Sequence, residues 1–226
     1  MELDSDQATE RAAGAATKVK VDMKKHVTTV GIALAALIVL AGCGGAVKYP
    51  NYYTLHLPPA PDPPAPEHVH ASLAIREFRS PTYLRQGAIV YKTSPEQIGF
   101  YNYHRWAVDP REFLTNAVAD RLRASGNFAQ VRIYDGRPDV DYVLSGRLEE
   151  LEEIDYESGV RVRVAISAQM TNMATGATVW TNSVSEVGMV SQRDVPAIVS
   201  EMNGTMGRAI EKLLTPTPAP VPIQAN

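Results

Sequence analysis

Apolar residues fall on every second position through Val162, Val164, Ile166, Ala168 and Met170, with Arg163, Ser167 and Gln169 between them. Period-two alternation is the mark of a strand with one buried face. The same pattern makes Tyr142 to Ile154 the preceding strand and "ATVWTNSVSEV" the following one. Their turns are "YESG" and the region around "NMATG". Upstream, Ser72 to Phe78 reads as a strand, and Ile89 to Thr93 and Ile98 to Trp106 read as two more, joined across "SPEQ". Phe128 and Val131 to Tyr134 begin another. Two stretches switch to helical spacing. Asp109 is an N-cap, Pro110 suits the first turn and Glu112 makes a capping-box-like pair; Phe113, Leu114, Ala117, Val118, Arg121 and Leu122 follow, with apolar residues on one side until Gly126. Asp194 caps a second helix, where Ile198, Met202, Met206, Ile210 and Leu213 form a core stripe. The predicted fold is α+β, an antiparallel sheet with two helices packed on one face.

A further apolar run, Val27 to Leu40, covers ~14 positions, where a bilayer-spanning helix needs roughly 20. It follows the basic cluster Lys24-Lys25-His26 and precedes the small residues Ala41 and Gly42, as in a secretory signal peptide. Leu40-Ala41-Gly42-Cys43 resembles the bacterial lipobox, and Cys43 is the one cysteine of the chain. That resemblance implies cleavage between Gly42 and Cys43, a diacylglycerol on the thiol, and further acylation with a chain such as palmitate. A short transmembrane anchor with an incidental cysteine is the alternative. Met23 would start a compact signal, so residues 1–22 are expected to be a non-native or disordered leader and 23–42 the signal peptide. Gly44 and Gly45 stand where aspartate would retain a lipoprotein in the inner membrane, so the expected address is the outer membrane, facing the periplasm.

Composition divides the remainder. "LPPAPDPPAP", Leu57 to Pro66, favours extended polyproline II, so residues 43–71 read as a lipidated N-terminus, a short strand and a proline-rich spacer. Residues 72–214 hold the domain. Pro216, Pro218 and Pro220 end the last helix, and residues 215–226 are expected to be a disordered tail. The formal net charge of −3 offers no basic field for nucleic acid. With its one thiol acylated, the chain has no disulfide.

The chemistry-bearing residues do not assemble into a catalyst. Walker A and G-x-S-x-G motifs are missing from the sequence. His68 and His70 form an H-x-H pair without a nearby third ligand, short of what zinc needs, and His104 reads as a packed ring. Glu149, Glu150, Glu152, Glu153, Asp155 and Glu157 form an acidic run, expected to be solvated on an exposed hairpin. The reading is a noncatalytic protein with no metal and no cofactor beyond its covalent lipid. In Ile98 to Trp106, strict alternation puts Phe100 and Trp106 on one face and Tyr101, Tyr103 and Arg105 on the other. Tyr and Arg are favoured at interfaces, which makes the second face the candidate partner contact.

Tyr83 to Val131, with "AIVYKTSP", "FYNYHRWAVDP" and "ASGNFAQV", resembles the ABC-type transport auxiliary lipoproteins. "YYTLHLP", "DYVLSGRLEELE" and "VWTNSVSE" match the same layout. The resemblance implies an outer-membrane lipoprotein of an intermembrane lipid transport system. Its partner would be an MCE-domain protein and, through that, an inner-membrane permease with or without an ATPase. A homo-oligomer is compatible with the sheet edges. The rival reading is a lipoprotein adaptor or activator of an envelope enzyme or of a secretion or assembly complex.

Overall fold

The structure, a computed structural model, describes residues 27–28, 47–62, 70–137, 139–156 and 159–220. Gly42, Cys43 and His68 lie outside the described residues, as do the leader and most of the signal peptide. The chain divides into two units, Met1–Lys48 and Tyr49–Asn226. Within the first, residues 27–28 are helical. All that follows concerns the second.

The frame is one long strand, β6 (Tyr142–Ile154), whose 13 residues reach about 43 Å when extended. One edge of it pairs along its length with β7 (Arg161–Asn172), which pairs in turn with β8 (Thr178–Met189), both antiparallel. The other edge is long enough for two short strands end to end, and there the sheet forks. At the start of β6 lies β2 (Ser72–Ile75), itself paired with β5 (Gln130–Ile133). At its end lies β3 (Ala88–Ser94), followed outward by β4 (Gln97–Trp106) and by β1 (Asn51–Tyr53). A 3-10 turn, Thr82–Gln86, leads into β3.

The sheet is therefore mixed. The pairs β1–β4, β2–β5, β2–β6 and β3–β6 are parallel. The fold is α+β as expected, but only the meander and the β3–β4 hairpin are antiparallel. Parallel neighbours need a crossover rather than a tight turn, and here α1 (Pro110–Ala124), together with the long connections, supplies it. The strand expected over Ser72 to Phe78 ends at Ile75. The chain continues beside β6 all the same, with Arg79 N bonded to Gly146 O at 2.9 Å.

Both helices lie on one face. Asp109 Oδ1 accepts from Arg111 N to start α1, and Asp194 Oδ1 accepts from Ala197 N to start α2 (Val195–Leu213). Leu114, Val118 and Leu122 of α1, and all five predicted stripe residues of α2, enter one core with Leu73, Ile75, Leu144, Leu148 and the alternating residues of β7. Each such side chain contributes about 1.5–3 kcal/mol on burial.

β1 is a member of the sheet, so the proline-rich stretch lies in the chain between two strands of one unit. Its first residues rest on the domain: Leu57 packs on the core, and Arg121 Nη2 donates to Pro58 O. The tail is likewise fastened over its described part, 215–220, with Trp180 Nε1 donating to Pro216 O at 3.1 Å and Asn127 Nδ2 to Pro218 O at 3.0 Å. Proline lacks an N–H but keeps its carbonyl, so such a segment can be held by donors from the side.

Candidate functional site

The predicted contact face lies on β4, and β4 does not alternate cleanly. Its register with β3 passes from Val90↔Phe100 to Ala88↔Arg105. Ile89 alone therefore faces the stretch from Tyr101 to His104, a bulge that re-aims side chains. Tyr101 packs on the core beside Phe100, and its hydroxyl donates to Glu153 Oε2 at 2.7 Å. Its ring lies 5.0 Å from that of Tyr91 and edge-on to His104 at 5.8 Å. Tyr91 in turn covers Gly99, where a Cβ would collide with its ring. His104 Nδ1 is 2.9 Å from the Tyr53 hydroxyl, and those two rings stack. His104 is thus a packed, hydrogen-bonded ring, as its place in the strand suggested.

Tyr103 and Arg105 stay on the outside of this ladder. Tyr103 is 40% exposed, and Arg105 is half-buried, with Nη2 donating to Gln86 O. Tyr52, 63% exposed, pairs with Arg105 across the parallel β1–β4 register. The predicted trio is therefore divided, Tyr101 turning inward while Tyr103 and Arg105 keep company with Tyr52. "NYYT" held the signal for Tyr52: with Tyr53 committed to the core, its neighbour on a strand must face the other way.

The acidic run is only partly solvated. After Leu148 the β6–β7 register slips by one residue, from Leu148↔Ile166 to Glu150↔Ala165. Beyond that bulge Leu151 and Glu153 pair with the core residues Val164 and Val162, so Glu153 points to the helix-covered face and Glu152 to the other. Both carboxyls are buried, at 2% and 0% exposure. This corrects the expectation of a wholly exposed run. Lys92 Nζ lies 2.9 Å from Glu152 Oε1, although that oxygen receives no well-aligned hydrogen bond among the described residues. Burial pushes both carboxyls above the usual range, while Lys92 pulls Glu152 back down and the Tyr101 hydroxyl does the same for Glu153. The Tyr83 phenol, half-buried beside Glu152, is pushed up to about 12, and burial raises Tyr101 as well. Protons stay on both phenols, which donate to carboxylates. These contacts fix β3, β4 and β6 to one another.

His70 is exposed. Among the described residues no three His, Cys, Asp or Glu side chains converge as a metal site would require.

Comparison with known proteins places this architecture. The family model described as "ABC-type transport auxiliary lipoprotein component" matches residues 53–213. The crystal structure of protein XCC0632 from Xanthomonas campestris superposes with a TM-score of 0.62 at 17% identity, covering 73% of this chain and 92% of that one. A second crystal structure, of a protein described only as uncharacterized, has a TM-score of 0.58 at 14% identity and covers 75% of this chain and 99% of its own. At these identities the likeness is one of fold. No curated protein matches by sequence.

Proposed function

The chain belongs to the ABC-type transport auxiliary lipoprotein component family, and from that premise we propose that it is the noncatalytic, outer-membrane-anchored member of an MCE-type lipid transport system. Acylated Cys43 holds the protein in the periplasmic leaflet of the outer membrane. The head docks the periplasmic MCE-domain component there, and the inner-membrane permease engages the far end. What carries the reading is one juxtaposition: a lipobox-like Leu40-Ala41-Gly42-Cys43, without a retention aspartate, directly ahead of a family match that begins at residue 53.

The sheet edge formed by Tyr52, Tyr103 and Arg105 supports the docking part, since tyrosine and arginine are over-represented in interface centres. Tethering keeps the head at high local concentration near its partner, so a modest contact suffices.

The test is a crosslinked pull-down of the tagged protein from native envelopes, with partners identified by mass spectrometry. Recovery of an MCE-domain protein, lost in Cys43→Ala and reduced in Tyr103→Ala/Arg105→Ala, is the expected result. Recovery of a cell-wall synthase or a secretion subunit in its place would overturn the transport role and leave the anchored-adaptor role.

A further inference from the structure

The face of the sheet turned away from the helices carries an open groove. Residues 76–79, running beside β6, form one wall, and outward-facing positions of β6, β7 and β8 complete it. Its volume is about 530 Å³, within the range of small-molecule sites. Arg76, Arg79 and Arg147 all line it. At one end the lining turns apolar, with Val143 and Met173 from a small cluster that is separate from the main core.

The charges do not balance locally. Arg147 Nε is 2.6 Å from Glu149 Oε2, and Glu77, the one carboxylate in the lining, is 3.6 Å from Arg111. The Arg76 guanidinium carbon sits over the Tyr134 ring, 4.7 Å from its centroid, a cation–π contact that leaves the charge without a carboxylate partner. Neither Arg76 nor Arg79 is ion-paired to a carboxylate among the described residues. Arg79 and Arg147 are direct partners across a bridge. Like charges directly opposite each other disfavour a sheet pair, and here Glu149 offsets Arg147 but not Arg79. Guanidinium forks meet phosphate oxygens two at a time, which no lysine does.

We propose that this groove binds the phosphate of a phospholipid headgroup, its oxygens on Arg76, Arg79 and Arg147 and its glycerol end over Val143 and Met173. The apolar end beside the cationic one selects an amphiphile over free phosphate. The inference rests on the groove alone and is independent of the docking role, so either can fail without the other.

The experiment is calorimetric titration of the full chain in neutral detergent with three probes: dihexanoylphosphatidylglycerol, dihexanoylglycerol and inorganic phosphate. The phosphatidylglycerol probe is expected to saturate one site. Arg76→Gln and Arg79→Gln, each checked to remain folded, should weaken it about tenfold, the loss of one charged hydrogen-bonding partner. Met173→Ser should weaken the lipid probe and leave inorganic phosphate as it was. Equal binding of the phosphate-free glyceride, or wild-type affinity in folded arginine variants, would overturn the site. Inorganic phosphate binding as tightly as the lipid would overturn the headgroup assignment.

Discussion

Along the first half of β6, Leu144 and Leu148 face the helices and are fully buried, with Gly146 between them tucked against Phe78. Alternating with them, Ser145 and Arg147 face the groove and stay part-exposed. One strand thus serves two masters. On the covered side, packing against α1, α2 and Phe78 decides which residue fits. On the open side neither helix constrains the choice, and that is where hydroxyls, amides and guanidiniums collect. Past the bulge at Glu149 the division breaks down, because a charge is buried on each side. Stability and chemistry are separable in the first half and entangled in the second.

The entangled half gives the largest expected effect. Lys92→Met leaves the Glu152 carboxylate buried without its counter-charge, and breaking a buried pair in this way costs about 3–5 kcal/mol. The pH dependence has a definite sign. Glu152 binds its proton more tightly folded than unfolded, so its contribution is fully present below the ordinary value of 4.5 and is lost as pH rises through the folded value. Removing Lys92 raises that folded value further. Chemical denaturation across the pH range should therefore show a deficit that is widest at neutral pH and narrows as pH falls toward 4.5. A pH-independent deficit would mean that Lys92 acts through packing and not through charge.

A smaller effect is expected where the faces separate cleanly. Gly146→Val drives side-chain atoms into the Phe78 ring on the covered side. Overpacking of this kind costs about 1–3 kcal/mol. Thermal melts should report the loss.

Much of this division was legible in the sequence where runs were long. The predicted Tyr142 to Ile154 strand has the observed bounds, and both helix caps form at Asp109 and Asp194. The parallel pairings were not legible, since β1, β2 and β5 have only three or four residues each and their partners are set by distant crossovers. Bulges hid the rest. One unpaired residue in β6 inverts the alternation and turns glutamates that read as solvated into buried ones, and the bulge in β4 separates Tyr101 from Tyr103. The run "LEELEEI" did contain a trace of the first, in the three-residue step from Leu148 to Leu151. The groove had no local trace, because Arg79 and Arg147 meet only through the register of a single bridge.

The smallest effect sharpens the comparison most. Gln169 is exposed on β7, in the groove wall, with the buried Ala168 and Met170 as its neighbours on the other face. If the open face is free of packing demands, Gln169→Ala should change stability by no more than about 0.5 kcal/mol, the ordinary scale for a surface substitution. The neighbouring change Met170→Ala, on the covered face of the same strand, should cost about 2–5 kcal/mol. The two positions share backbone, strand and sheet, so strand propensity cannot account for so wide a gap. Denaturant midpoints measured side by side would show it. Similar losses at both positions would mean that the open face is itself packed against something, and that its polar residues are there to fit a partner rather than to face water.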